Sequence, residues 1–355
     1  VPKNSHFHFM ATGVGTLPHQ DPLQAVDDVL GRIKEMPYWP QLPHRTPMED
    51  MNLQYSGALR PLLVPDPDNR ALKAYPDLGR EQALAALYER LFSEDRESFG
   101  LTPETAAGFF TFLDRLGQPG KKSCPWVKGH VTGPFTLASS VLGADGKALL
   151  YDDEAAEAIA RGLGAAAAAQ SRQMAPLGSR QLIFIDEPSL SGFGSAFTPI
   201  SRERAIELLG LTLEEARQRT EEPVFYGIHC CGNTDWAMLI EAGFEVINLD
   251  SAGYGQGLLL YPEAVHDLFK RGGAVAWGAV PTLEFKGSET GPELWAVLHQ
   301  TLKELEEKGL PRELIASQAL VSPACGLGPI GDLDKARRIL DLTVEVSQLA
   351  RQEFV

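Results

Sequence analysis

The residues most able to do chemistry stand in the segment Tyr226-Gly-Ile-His-Cys-Cys-Gly-Asn-Thr234. His229 and Cys231 are two positions apart where a strand ends. Side chains at i and i+2 share one face of a strand, so both can address one centre, and Cys230 between them points away. A second strand end reads Asn248-Leu-Asp250 and a third Ser322-Pro-Ala-Cys325-Gly-Leu-Gly-Pro329. Strands gathered into one barrel bring His229, Cys231 and Cys325 together at its mouth. One imidazole and two thiolates form a donor set suited to Zn²⁺, with a fourth position open. Asp250 or Glu245 could fill that position, and the strand-end location favours Asp250. The plainer alternative treats these cysteines as small buried hydrophobes; Cys124 and Cys230 are read that way.

These residues need strands to carry them. Apolar runs near Phe9–Val14, Trp126–Val131, Leu182–Asp186, Val224–His229, Glu245–Leu249, Ala274–Trp277 and Ala319–Ser322 read as parallel strands. Helical stretches alternate with them, among them Arg204–Arg217, Thr234–Glu241, Pro262–Phe269, Glu293–Lys308 and Leu333–Leu349. Ala155–Met174 reads as one long Ala-rich helix or as two around Gly162 and Gly164. An eighth strand is sought in the irregular segment 36–77, around Tyr55–Val64. Two more helices are expected near Glu81–Phe92 and Pro103–Leu116. The expectation is α/β: one (β/α)8 TIM barrel over residues 1–355, with an insertion at about 36–77 and two extra helices at about 80–116. A doubly wound sheet is the runner-up. Either places function at the carboxyl ends of the strands.

The 355 residues carry a formal charge of −15, with 44% hydrophobic and 22% charged residues. That balance buries a sizeable core. It argues against nucleic acid or an anionic membrane as partner, since either needs excess Lys and Arg. No apolar run reaches the ~18 residues of a membrane span. The first ten residues lack a signal peptide's apolar stretch, and four cysteines are too few for a disulfide scaffold. A cytoplasmic protein is expected.

Five motifs in order along the chain resemble one superfamily. It contains cobalamin-independent methionine synthase, the zinc- and corrinoid-dependent methyltransferases and uroporphyrinogen decarboxylase. His229-Cys-Cys231-Gly-Asn-Thr is similar to the zinc motif of the methylcobalamin:thiol branch. Ser322-Pro-Ala-Cys325-Gly-Leu resembles the third-ligand motif of both methyltransferase branches. Ile185-Asp-Glu-Pro-Ser-Leu190, Gly129-His-Val-Thr-Gly-Pro-Phe-Thr136 and Val14-Gly-Thr-Leu-Pro18 resemble segments of methionine synthase. The resemblance implies a barrel, a zinc that activates a thiol, and methyl transfer to that thiol. It also implies roles. Asp186 matches the carboxylate that holds the amino group of homocysteine, with Glu187 ranked behind it. Thr16 stands where the family's Ser meets the amino acid. Glu49 and Asp50 are candidates for the early acidic residue that faces the substrate amine. Gly133-Pro134 opens a helix whose free N–H groups could meet an anion, or simply punctuates the chain. His130, at a strand end, could reach the mouth as a catalytic group or pack behind it.

The departures from methionine synthase bear on the methyl donor. The run Thr136-Leu-Ala-Ser-Ser140 has Ser near the place of a folate-stacking Trp. Trp277-Gly-Ala-Val-Pro281 lacks the His that serves the folate leaving group. A departing amine needs a proton and a cob(I)alamin does not. A methylated corrinoid such as methylcobalamin, carried by a partner protein, is therefore the expected donor, and a small thiol, homocysteine favoured, the acceptor. A short folate-dependent methionine synthase, a decarboxylase and a non-catalytic zinc- or corrinoid-binding protein are the alternatives. The insertion, with Tyr38, Trp39 and Tyr55, is the expected lid or docking surface, or a cap on the barrel floor.

Overall fold

The computed structural model describes residues 6–93, 95–120, 124–194 and 200–354. Among them a parallel sheet is built from β1 (Met10–Ala11), β4 (Trp126–Thr132), β5 (Arg180–Asp186), β6 (Val224–Cys230), β7 (Val246–Leu249), β8 (Ala274–Val280) and β9 (Ala319–Pro323). Strands β2 (Leu63–Asp66) and β3 (Ala71–Ala74) form a separate antiparallel hairpin. Spatial order in the main sheet is β1-β9-β8-β7-β6-β5-β4. Neighbours are chain neighbours throughout β4 to β9, as expected for successive βα units, and the sheet curls into a half-barrel.

The helices are α1 (Pro22–Arg32), α2 (Arg80–Phe92), α3 (Ala107–Leu116), α4 (Pro134–Ser140), α5 (Asp153–Met174), α6 (Arg202–Arg219), α7 (Trp236–Glu241), α8 (Ser251–Leu258), α9 (Pro262–Lys270), α10 (Gly291–Glu307), α11 (Arg312–Ser317) and α12 (Leu333–Phe354). No helix among the described residues is long and apolar enough to cross a membrane. Helix α5 is continuous. Asp152 caps it by accepting from the Ala155 N–H, and its alanines are the best helix formers. Gly164 is needed for packing: a Cβ there would sit 2.5 Å from the Thr212 carbonyl oxygen of α6.

Alternation along the strands divides the core. Val127, Ile183, Ile185, Ile228, Ile247 and Val321 face the helices. Phe7, Trp126, Leu182, Phe184, Phe225, Val246 and Leu320 form a second apolar cluster on the concave side. Trp126 and Phe225 meet edge to face, with ring centroids 5.4 Å apart. This cluster is the floor on which the mouth residues stand.

The segment 36–77 holds no strand of the main sheet; its only strand pair is the β2–β3 hairpin. Tyr55 lies in a 3-10 turn. Residues 35–41 instead run between the two sheet edges. On one side the Trp126 and Lys128 N–H groups donate to the Glu35 and Pro37 carbonyls at 3.0 and 2.9 Å. On the other, Gln41 N–H donates to Gly15 and Leu17 N–H to Gln41, at 3.1 and 2.9 Å. Two prolines, Pro37 and Pro40, remove donors and limit this stretch to isolated bridges. Tyr38, Trp39 and Tyr55, expected at a lid or docking surface, are all buried, while Gln41, His44, Asp50 and Met51 of the same segment line the cavity described below. Trp39 packs on Phe109 and donates to Gln170, and Tyr55 donates its hydroxyl to the His130 carbonyl at 2.5 Å.

Candidate metal centre

Strand β6 ends at Cys230, so His229 is its last inward residue and Cys231 the first beyond it. Register places Asp186 beside His229 and His229 beside Asn248. Beyond β9 the chain turns at Ala324, whose N–H donates to the Val280 carbonyl at 2.8 Å. This turn swings Cys325 over the concave side. The ligand atoms of His229, Cys231 and Cys325 all lie within 4.8 Å of one another. The Nε2 of His229 is buried without a hydrogen-bond partner. Cys325 donates a hydrogen bond to Cys231, and with His229 nearby this pulls the Cys231 thiol down to about 4. The same bond and burial push Cys325 up. The geometry is that of a site able to hold one cation.

Above these ligands lies a cavity of about 320 Å³. Thr16, Gln41, His44, Asp50, Met51 and Asp186 share its wall with the three ligands. Burial raises Asp186 to about 6 against the pull of His229 and Lys128, and its Oδ1 has no hydrogen-bond partner. The Thr16 hydroxyl accepts from Gly328 N–H at 3.3 Å, and its carbonyl accepts from Leu327 N–H at 2.8 Å. Thr16 thus pins the loop that carries Cys325.

Other candidates sit elsewhere. Glu187 is fully buried and turned away, its two oxygens accepting from the Phe135 and Thr136 N–H groups at 2.8 and 2.7 Å. The free N–H groups of the helix opened by Gly133-Pro134 are thus taken by this carboxyl group. Burial lifts Glu187 to about 7, partly offset by those bonds. Glu49 is likewise buried, holding Arg45 and the backbone of Leu42 and Ala107; its neighbour Asp50 reaches the cavity. Asp250 caps α8 by accepting from Gly253 N–H at 2.8 Å, and stands outside the three-ligand group. Glu245 lies at the opposite end of β7, paired with Arg217 at 2.5 Å. His130 packs behind the wall rather than in it. Its ring stacks on Trp39 at 3.9 Å, lies against Gly15 and has no hydrogen-bond partner on either nitrogen. Burial and then Lys128 hold it well below the usual histidine range, hence neutral. Cys230 is buried in the helix-facing core, its thiol donating to the Gly232 carbonyl at 3.6 Å.

Sequence reasoning missed Lys128. It is fully buried, donates to the Val14 carbonyl at 2.6 Å and lies 4.2 Å over the Phe184 ring. Burial lowers it to about 8, against the pull of Asp186. The signal was the strand Trp126–Val131, where Lys128 and His130 interrupt an apolar run two positions apart.

No protein family matches this sequence, and no curated protein is similar to it at a significant level. Among solved structures, the fold is similar to that of a methyltransferase from Methanosarcina mazei, with a TM-score of 0.53 and 15% identity over 95% of this chain and 87% of that one. At that identity the likeness is one of fold.

Proposed function

We propose that this protein is a zinc-dependent methyltransferase that passes a methyl group from a methylated corrinoid to a small thiol, with homocysteine the favoured acceptor. The observation that carries this reading is the convergence of His229, Cys231 and Cys325 within 4.8 Å beneath a cavity. Tetrahedral zinc with Zn–S of ~2.3 Å and Zn–N of ~2.0 Å sets its ligands roughly 3.5–3.8 Å apart, which this spacing accommodates. An unpartnered imidazole nitrogen and two sulfurs suit that ion and leave room for one more ligand. Zinc bound there would hold the acceptor sulfur as a thiolate near neutral pH. The seam formed by 35–41 supports reading the sheet as a barrel whose eighth stave is irregular. A similar fold in a methyltransferase points the same way.

The residues of the chain define the rest. Asp186, with one oxygen unpartnered, suits an ammonium group on the acceptor, and Asp50 adds a second negative charge across the cavity. Among the described residues no Lys or Arg lines the cavity, which disfavours a polycarboxylate such as a decarboxylase's porphyrinogen. No Phe, Tyr or Trp lines it either, so a folate ring finds no stacking surface. Ser140 instead donates to the Leu137 carbonyl at 2.7 Å, and Ala279 is buried. In the reaction the acceptor sulfur forms the new bond to the methyl carbon, and the donor leaves with the electron pair of the bond that breaks. A corrinoid takes that pair without a proton, whereas a folate amine needs an acid.

The test is metal analysis of the purified protein, followed by side-by-side assays of methylcobalamin and methyl-tetrahydrofolate with several thiols. About one zinc per chain and faster transfer from methylcobalamin are expected. Faster turnover with the folate and no corrinoid present would overturn the donor assignment, and a metal-free protein the whole reading.

A further inference from the structure

Asn248 interrupts the apolar strand Val246-Ile-Asn-Leu249 and is completely buried. An amide there must find partners on the concave side. Its Nδ2 donates to the Ala276 carbonyl at 2.7 Å and to the Ser322 hydroxyl at 2.9 Å. Its Oδ1 lies 2.7 Å from Nδ1 of His229. These contacts fix which way the amide points. A carbonyl oxygen can only accept, so the nitrogen of the amide must face Ala276, and the oxygen therefore faces His229. An amide oxygen also only accepts, so the proton of a neutral His229 lies on Nδ1. The lone pair then lies on Nε2, the buried nitrogen that has no partner of its own.

We propose that Asn248 is the positioning residue of the metal centre: it selects the tautomer and ring orientation of His229 and ties that ligand to the strand leading to Cys325. This rests on the metal reading above. One side chain on β7 links β6, β8 and β9, and Ser322 stands three residues before Cys325. A His ligand held through its other nitrogen binds metal more tightly, and losing such a partner typically weakens affinity about 10–100-fold.

The experiment measures zinc affinity by chelator competition in wild type, Asn248→Ala, Asn248→Asp and Ser322→Ala, with circular dichroism as the check on folding. Asn248→Ala should bind zinc about 10–100-fold more weakly. Asn248→Asp, which keeps an acceptor opposite Nδ1, should recover most of that loss, and Ser322→Ala should lose only a few-fold. In parallel, ¹⁵N-histidine spectra of zinc-loaded wild type should show His229 ligating through Nε2, with an Nδ1 proton protected from exchange; the signal is assigned by its loss in His229→Gln. Ligation through Nδ1 overturns the proposal even if the alanine variant does not fold. So does a folded Asn248→Ala with zinc affinity within about twofold of wild type. A wild type that binds no zinc strikes the metal reading itself, a different result from either of these.

Discussion

Two levels of the same concave surface are built from the same strands and share almost nothing chemically. At the floor, β5 contributes Leu182 and Phe184, and β6 contributes Phe225. Further up, β5 offers Asp186, two positions past Phe184, and β6 offers His229, four past Phe225, side by side in register. The floor is held by contact area: a Cβ on Gly227 would strike the Phe184 ring at 2.5 Å, so that ring fills the space a side chain would have used. The mouth is held by hydrogen bonds, and its two sulfurs lie beyond the strand ends, on turns. The comparison teaches that this sheet carries stability at one end and a binding-competent, partly unsatisfied set of polar atoms at the other.

Substitutions can break that division or sharpen it. Phe184→Ala should cost about 3–5 kcal/mol of stability in chemical denaturation while the folded fraction keeps its zinc; zinc lost in step with stability would merge the two levels. Cys325→Ser should weaken zinc binding about a thousandfold, ~4 kcal/mol, with little change in the unfolding midpoint of the metal-free protein. Lys128 sits between the levels. Burial lowers its folded value to about 8 from 10.5, so between those pH values the unfolded chain holds a proton that the folded chain has lost. Stability of the wild type relative to Lys128→Met should therefore rise from about pH 8 to 10.5, by up to about 3 kcal/mol. A flat difference across urea titrations in that window would show that Lys128 stays charged at its buried position. Asp186→Asn should weaken binding of an amino-bearing thiol about 10–100-fold, roughly 1.5–3 kcal/mol, with zinc retained; unchanged affinity by calorimetry would return Asp186 to a structural role. The smallest effect belongs to Cys230→Ala, which faces the helices and should leave zinc affinity within about twofold, one position from a ligand.

The sequence made the strands of β4 to β9 legible because each is a mostly apolar run bounded by turn residues. It also pointed to the three residues that converge, since His229 and Cys231 obey strand alternation and Cys325 follows a strand end. Other features were hidden for physical reasons. Residues 35–41 carry too many prolines to read as a strand, and their pairing partners lie on both sides of them in the chain. Glu187, after a strand end, and Glu49, in the place of an early acidic residue, look like site carboxylates; here backbone N–H groups consume Glu187, and backbone N–H groups with Arg45 consume Glu49. His130 gave no sign of its stacking with Trp39, a contact across the wall seam. Asn248 was visible as a polar interruption in an apolar run, but its partners lie on three other strands.

The β1–β9 pairing sets an order of events during synthesis. Met10 finds Leu320 and Ala11 finds Val321, so among the described residues the first strand of the sheet must wait for the last. Thr16 reaches Gly328 across the same seam, and the cavity draws its wall from both sides of it. On a ribosome, β4 to β8 can associate as they emerge, whereas the seam closes only once β9 and the loop at Gly328 have emerged. A nascent chain stalled before residue 319 would carry His229 and Cys231 but neither Cys325 nor the partner of β1. On the zinc reading, full-strength metal capture would require a chain made at least through Cys325 and its seam closed.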